Sequence, residues 1–198
     1  NDGNDGSGNN NGHVRVFENI GGTWTQIGED IDSESYDNQF GKSISLSSNG
    51  NIIAIGAELN SGNGTYSGHV RVFENIGGIW TQIGTDIDGE NIEDRSGVSI
   101  SLSNNGNILA IGAPQGQIIN TTGYVKIYQN IGGVWNQIGD NINGSSSNDK
   151  FGNNLNLSSD GNIIAINASG SISNNGSNSG NVYIYIYIYI GGIWTQIG

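Results

Sequence analysis

The chain has 198 residues, 34 of them glycine, with one proline and neither cysteine nor methionine, and its formal net charge is −12 with six basic residues. That balance argues against nucleic acid and anionic membrane surfaces, which need basic patches, and the missing cysteines exclude a disulfide scaffold, thiolate catalysis and cysteine-held metals. Apolar residues are mainly Ile and Val, broken by Gly, Asn and Ser, which predicts short strands and tight turns, and no apolar run is long enough for a membrane-spanning helix.

After a Gly/Asn-rich stretch at 1–11, read as an exposed loop, the phrase GHVRVFENIGGTWTQIG occupies 12–28. It returns at 68–84, 123–139 and 180–198, its opening glycines 56, 55 and 57 residues apart. A period of this size marks one copied supersecondary unit that must bury its apolar face against a neighbour. The unit is clearest over 40–84. Ile44 and Leu46 alternate with serines in a first strand, and Ser48-Asn49-Gly50-Asn51 is a hairpin link whose Asn-Gly signals a type I′ turn. Ile52–Ala57 is nearly all apolar, as for a strand buried on both faces.

A polar loop at 60–67 leads to a third strand in which His69 and Arg71 share one face and Val70 and Val72 the other. Ile76-Gly77-Gly78 is the next turn, and Trp80–Ile83 the fourth strand. Four antiparallel strands per period describe the blade of a β-propeller. The expected organisation is all-β: a half blade at 12–28 and full blades at 40–84, 96–139 and 151–198. Three and a half blades are too few to close a ring. The segment is expected either to be part of a larger propeller or to self-associate through its open blade edges, two copies forming one ring.

In the last copy the run YIYIYIYI at 183–190 is two residues longer than its counterparts, which predicts a longer strand or a bulge. Trp24, Trp80, Trp135 and Trp194 recur once per unit and are expected to pack between blades. His13 and His69 occupy one repeat position, read as a surface strand position without catalytic partners.

Phe40-Gly41 with Gly56-Ala57, Ser96-Gly97 with Gly112-Ala113-Pro114, and Phe151-Gly152 resemble the FG-GAP repeat of integrin alpha-subunit propellers and bacterial surface proteins. The resemblance implies a propeller and, in the integrin type, a calcium loop between the first two strands. That place holds only Ser48-Asn49-Gly50, Asn104-Asn105-Gly106 or Ser159-Asp160-Gly161, with at most one carboxylate. A hard cation needs six to eight oxygens, so the loop is not carried over.

The connectors after the fourth strand are a separate candidate for weak calcium binding. Asp86, Asp88, Glu90 and Asp94 alternate in one copy, and Asp30, Asp32, Glu34 and Asp37 in the preceding one. The competing reading is a solvated turn whose side chains cap backbone groups. No cofactor is expected beyond such calcium.

These features lead to the expectation of a non-catalytic, extracellular or cell-surface recognition and adhesion module. Its ligand would be a protein or a glycan, with a carbohydrate-binding propeller as the alternative and no enzyme activity.

Overall fold

The computed structural model describes residues 12–114, 122–146, 149–169, 181–188 and 192–197. Within them the chain is all-β, with no helix. The first unit is β1 (His13–Val14), β2 (Phe17–Ile20), β3 (Thr23–Gln26) and β4 (Ile31–Asp32). The next comprises β5 (Ser43–Leu46), β6 (Ile52–Ala57), β7 (His69–Ile76), β8 (Ile79–Gln82) and β9 (Ile87–Asp88). It is followed by β10 (Ser99–Leu102), β11 (Ile108–Ala113), β12 (Tyr124–Ile131), β13 (Val134–Gln137) and β14 (Ile142–Asn143). The last is β15 (Phe151–Leu157), β16 (Ile163–Ala168), β17 (Asn181–Ile188) and β18 (Ile193–Gln196).

Three sheets run β5-β6-β7-β8, β10-β11-β12-β13 and β15-β16-β17-β18, each neighbour antiparallel. These are the blades of a β-propeller, here called the first, second and third. The third strand of a blade has a divided outer partner: β8 covers Phe73–Ile76 and β9 covers His69–Val70. In the half blade the same strand is split into β1, paired with β4, and β2, paired with β3. Neither has a partner on its inner edge among the described residues.

Packing follows the period-two alternation of strands. Val70 and Val72 of the first blade meet Leu109, Ile111 and Tyr128 of the second in one core. Val125 and Ile127 of the second meet Ile164 and Ile166 of the third in another. Val14, Val16 and Ile31 of the half blade meet Ile53, Ile55 and Phe73. β6 and β11 lie between two such cores and are buried from their second residue onward, as their near-continuous apolar sequence implies, whereas β16 is buried only at alternate residues.

The innermost strands are joined from blade to blade by serine. Ser45 Oγ accepts Leu102 N–H at 2.9 Å, and Ser101 Oγ accepts Leu157 N–H at 3.0 Å. Ser43 Oγ and Ser99 Oγ donate at 2.6 Å to the carbonyls of Gly97 and Gly152. Gly56 and Gly112 lie against those same carbonyls, and a Cβ at either would run into the oxygen. At the outer edge, Trp80, Trp135 and Trp194 each donate Nε1–H to the carbonyl of Ile27, Ile83 and Ile138 in the preceding unit, at 3.0–3.2 Å. Three of the four tryptophans thus bind adjacent blades. Trp24 has no described blade before it and is 68% exposed.

Several local expectations are corrected. The Asn49-Gly50 link is not a type I′ turn, because only Gly50 has positive φ. Gly50 N–H bonds to Ser47 C=O, while Asn49 Oδ1 accepts Ser47 Oγ and Asn51 N–H. That side-chain cap stabilises a wider turn in place of a two-residue one. The primed turn is instead Gly77-Gly78, with φ 64° and 93°. In the last blade β17 has the same length, eight residues, as β7 and β12. Ile188 pairs with Ile193, where Ile76 pairs with Ile79. The described strand is therefore not lengthened, and Tyr189 and Ile190 lie outside the described residues.

Candidate functional site

Each of the first three units places a cation at the same point of its third strand: Arg15, Arg71 and Lys126. Arg71 and Lys126 reach the acidic connector of the preceding unit, and Arg15 the connector of its own. Arg15 Nε and Nη2 bind Asp30 at 2.7–2.9 Å, and Gln26 Nε2 donates to the same carboxylate at 2.9 Å. These hydrogen bonds to the charged form hold Asp30 down at a pKa of about 2. Arg71 reaches Glu34 at 2.8 Å, donates to Gln82 Oε1 at 2.8 and 3.0 Å, and stands 3.6 Å from Asp86. Its guanidinium also lies 4.9 Å from the centre of the Phe73 ring. Lys126 pairs with Glu90.

The connector acids named as calcium candidates are therefore distributed over different partners. Asp30, Glu34, Asp86 and Glu90 face cations of the third strands. Asp32 and Asp88 lie on β4 and β9, opposite His13 and His69, and burial with the nearby Asp86 raises the Asp88 pKa. Asp37 is exposed, with φ 54°. Asp94 is fully buried: its Oδ2 accepts the N–H groups of Glu90 and Asn91 and the hydroxyl of Tyr124 at 2.6 Å. Among the described residues no group of three or more His, Asp and Glu side chains is placed to hold a metal ion. Strand alternation and cross-blade pairing disperse carboxylates that are adjacent in sequence.

His69 is not a surface residue. It is 2% exposed, its Nδ1 lies 3.5 Å from Asp86, and its Nε2 is buried without a hydrogen-bond partner. Burial holds its pKa below the ordinary 6.5, with Asp86 opposing that shift and Arg71 adding to it. The exposed reading failed because Arg71 and the blade before it cover this face.

The polar groups that break the repeat lie elsewhere, where the chain enters the inner strands. Lys42 stands 3.9 Å from Glu58, which is 8% exposed. The equivalent positions hold Val98 and Pro114 in the second blade, and Asn153 and Ser169 in the third. Gln39, Arg95 and Lys150 occupy one repeat position just before the inner strand, with φ of 57°, 52° and 54°. Each closes a turn in which its carbonyl accepts from the residue three further on, a backbone state that costs on the order of 1 kcal/mol. Arg95 Nε is buried without a partner. It lies two residues before Gly97, whose carbonyl packs on Gly56, itself two residues before Glu58.

Lys42 and Glu58 thus meet at one end of the first inner strand. In sequence the signal is that Lys42 and Glu58 depart from the repeat, within a chain whose carboxylates are densest in the connectors. Clefts of about 190 and 260 Å³ elsewhere on the blades are smaller than most ligand pockets.

The fold defines the class of protein, a β-propeller segment. No protein-family model and no curated protein matches the sequence. Among solved structures, the chain is similar to a candidate 6-phosphogluconolactonase from Bacteroides uniformis, at 17% identity and a TM-score of 0.62 over 93% of its length. It is also similar to one from Bacteroides fragilis, at 16% identity and a TM-score of 0.52 over 78%. It covers 47% and 36% of those two chains, so it spans at most about half of either. At these identities the likeness shows the fold.

The same comparisons correct the functional expectation. The reading as a non-catalytic adhesion module, with a carbohydrate-binding alternative, finds no FG-GAP family match. The two structures named are of enzyme candidates, so neither that reading nor the exclusion of enzyme activity is retained.

Proposed function

We propose that the chain forms about half of the ring of an enzymatic propeller that hydrolyses a phosphorylated sugar lactone. The entrance to its inner strands would face the substrate. The observation that carries this reading is the Lys42–Glu58 pair, a cation and a carboxylate that depart from the repeat in a chain otherwise strongly acidic. The structural likeness to lactonase candidates supports the substrate class.

In this reading Arg95 and Lys150 attract the phosphate, as cations do in an acidic protein whose other basic groups are already paired. Glu58, beside Lys42, draws a proton from water as the water attacks the lactone carbonyl, the role of a carboxylate general base. Ring opening yields the phosphorylated sugar acid. The test is calorimetric binding of 6-phosphogluconate, the acid product, to the full chain. Saturable binding weakened roughly tenfold by Arg95→Ala with Lys150→Ala is expected, together with accelerated lactone hydrolysis that Glu58→Gln abolishes. Binding unaffected by the double substitution, or no binding, would discard the proposal.

A further inference from the structure

The side of the first blade that faces the half blade is covered at its outer part and bare at its inner part. Ile53 and Ile55 are 2% and 0% exposed under Val14 and Val16, but Ile44 and Leu46 on the innermost strand are 58% and 47% exposed. Their counterparts Ile100 and Leu102 in the second blade are each 8% exposed. The difference has one structural cause. The half blade supplies only the outer strands, so nothing described stands where an inner hairpin would cover Ile44 and Leu46. The inner edge of β1 and β2 is likewise without a strand partner among the described residues. Phe17 on that edge is 48% exposed, whereas the matching Phe73 is 6% exposed.

We propose that this gap is a docking site for a free β-hairpin with the inner-strand chemistry of this repeat: a Ser-x-Ser strand, a turn, and a second strand bearing glycine. The two complete junctions show what fills such a gap. In both, a serine Oγ accepts the leucine N–H of the following inner strand, and a second serine donates to the carbonyl of its Phe-Gly or Ser-Gly turn. A glycine in the second strand makes room for that carbonyl.

Leu46 N–H and Gly41 C=O occupy the corresponding receiving positions. The hairpin's second strand would add to β1 and β2 as β6 adds to β7, a strand addition to an exposed edge. A folded second copy cannot supply this element. Its β5–β6 and β10–β11 hairpins are already stacked, and its third blade carries Asn154, Asn156 and Asn167 where the donor face needs two serines and a glycine.

The experiment adds a fluorescent peptide of residues 40–57, FGKSISLSSNGNIIAIGA, to the full chain and follows anisotropy and the melting temperature. Saturable one-to-one binding and a raised Tm are expected. Binding should weaken roughly tenfold or more when the peptide carries Asn at 43, 45 and 56, and likewise when the protein carries Ile44→Asp with Leu46→Asp. Both protein positions are already solvent-exposed, so the fold should tolerate the change, and a native melt of the variant checks this. No binding up to about 100 µM, equal binding of the Asn peptide, or dimerisation of the chain alone through Ile44 and Leu46 would each overturn the proposal.

Discussion

The second blade has a neighbour on both sides and the third has a described neighbour on one, and their matching residues differ accordingly. Ser99, Ser101 and Gly112 face the third blade and are used in the contact: two hydroxyls bond to its backbone, and the glycine admits its carbonyl. At the same positions the third blade holds Asn154, Asn156 and Asn167. The first two side chains are exposed, and Asn167 Oδ1 is buried without a partner. A following blade stacked in the repeated geometry would meet the Cβ of Asn167 where the other junctions have none. The corresponding face of the third blade is polar at these three positions, whereas the side of the first blade at Ile44 and Leu46 is apolar and exposed.

This contrast can be broken by substitutions at matched positions. Trp80→Ala and Trp135→Ala remove half-buried rings and a cross-blade hydrogen bond and should each cost about 2–3 kcal/mol. Trp24→Ala, in the same phrase with no described blade beneath it, should stay within about 0.5 kcal/mol; urea denaturation separates the two. Gly112→Asn places the third blade's residue in a working junction and should cost about 2 kcal/mol by forcing the carbonyl of Gly152 away. The reciprocal Asn167→Gly should cost less than about 1 kcal/mol, the backbone penalty of glycine in a strand. Equal effects at the two sites would mean that Asn167 is as closely confronted as Gly112. Ser101→Ala should cost about 1 kcal/mol by leaving Leu157 N–H unpaired, while Asn156→Ala should be near neutral.

The smallest effect concerns His69. Its folded pKa lies below the unfolded 6.5 because burial disfavours the imidazolium. The unfolded chain therefore binds the proton first, and stability falls as pH drops from above 6.5 toward the folded value. His69→Gln should flatten that part of a Tm-against-pH curve, while the loss at lower pH, where Asp30 takes up its proton near 2, should remain.

Much of the fold was legible in the residues. The near-continuous apolar runs Ile52–Ala57 and Ile108–Ala113 read as strands buried on both faces, which they are, because such a sequence has no polar side to give to water. The once-per-unit tryptophans read as packing residues, and three of them are. The connector acids were less legible. Alternating carboxylates look alike in sequence whether they converge on a cation or are divided among Arg15, Arg71, Lys126 and backbone amides, and the division depends on which blade stands beside each connector. Lys42 and Glu58 were readable as breaks in the repeat, but their approach depends on the pairing of β5 with β6.

Repetition, strand period and glycine-rich turns follow from local chemistry: which side chains suit a pleated strand and which backbones tolerate positive φ. These the sequence alone determined, and with them the propeller blade. Tertiary structure decided what each copy of the same phrase does. His13 and His69, Trp24 and Trp80, and Phe17 and Phe73 are identical pairs in nearly identical local sequences, yet the second of each pair is the more buried. Burial belongs to the neighbour that a face meets, and only the stacking of the blades supplies that neighbour.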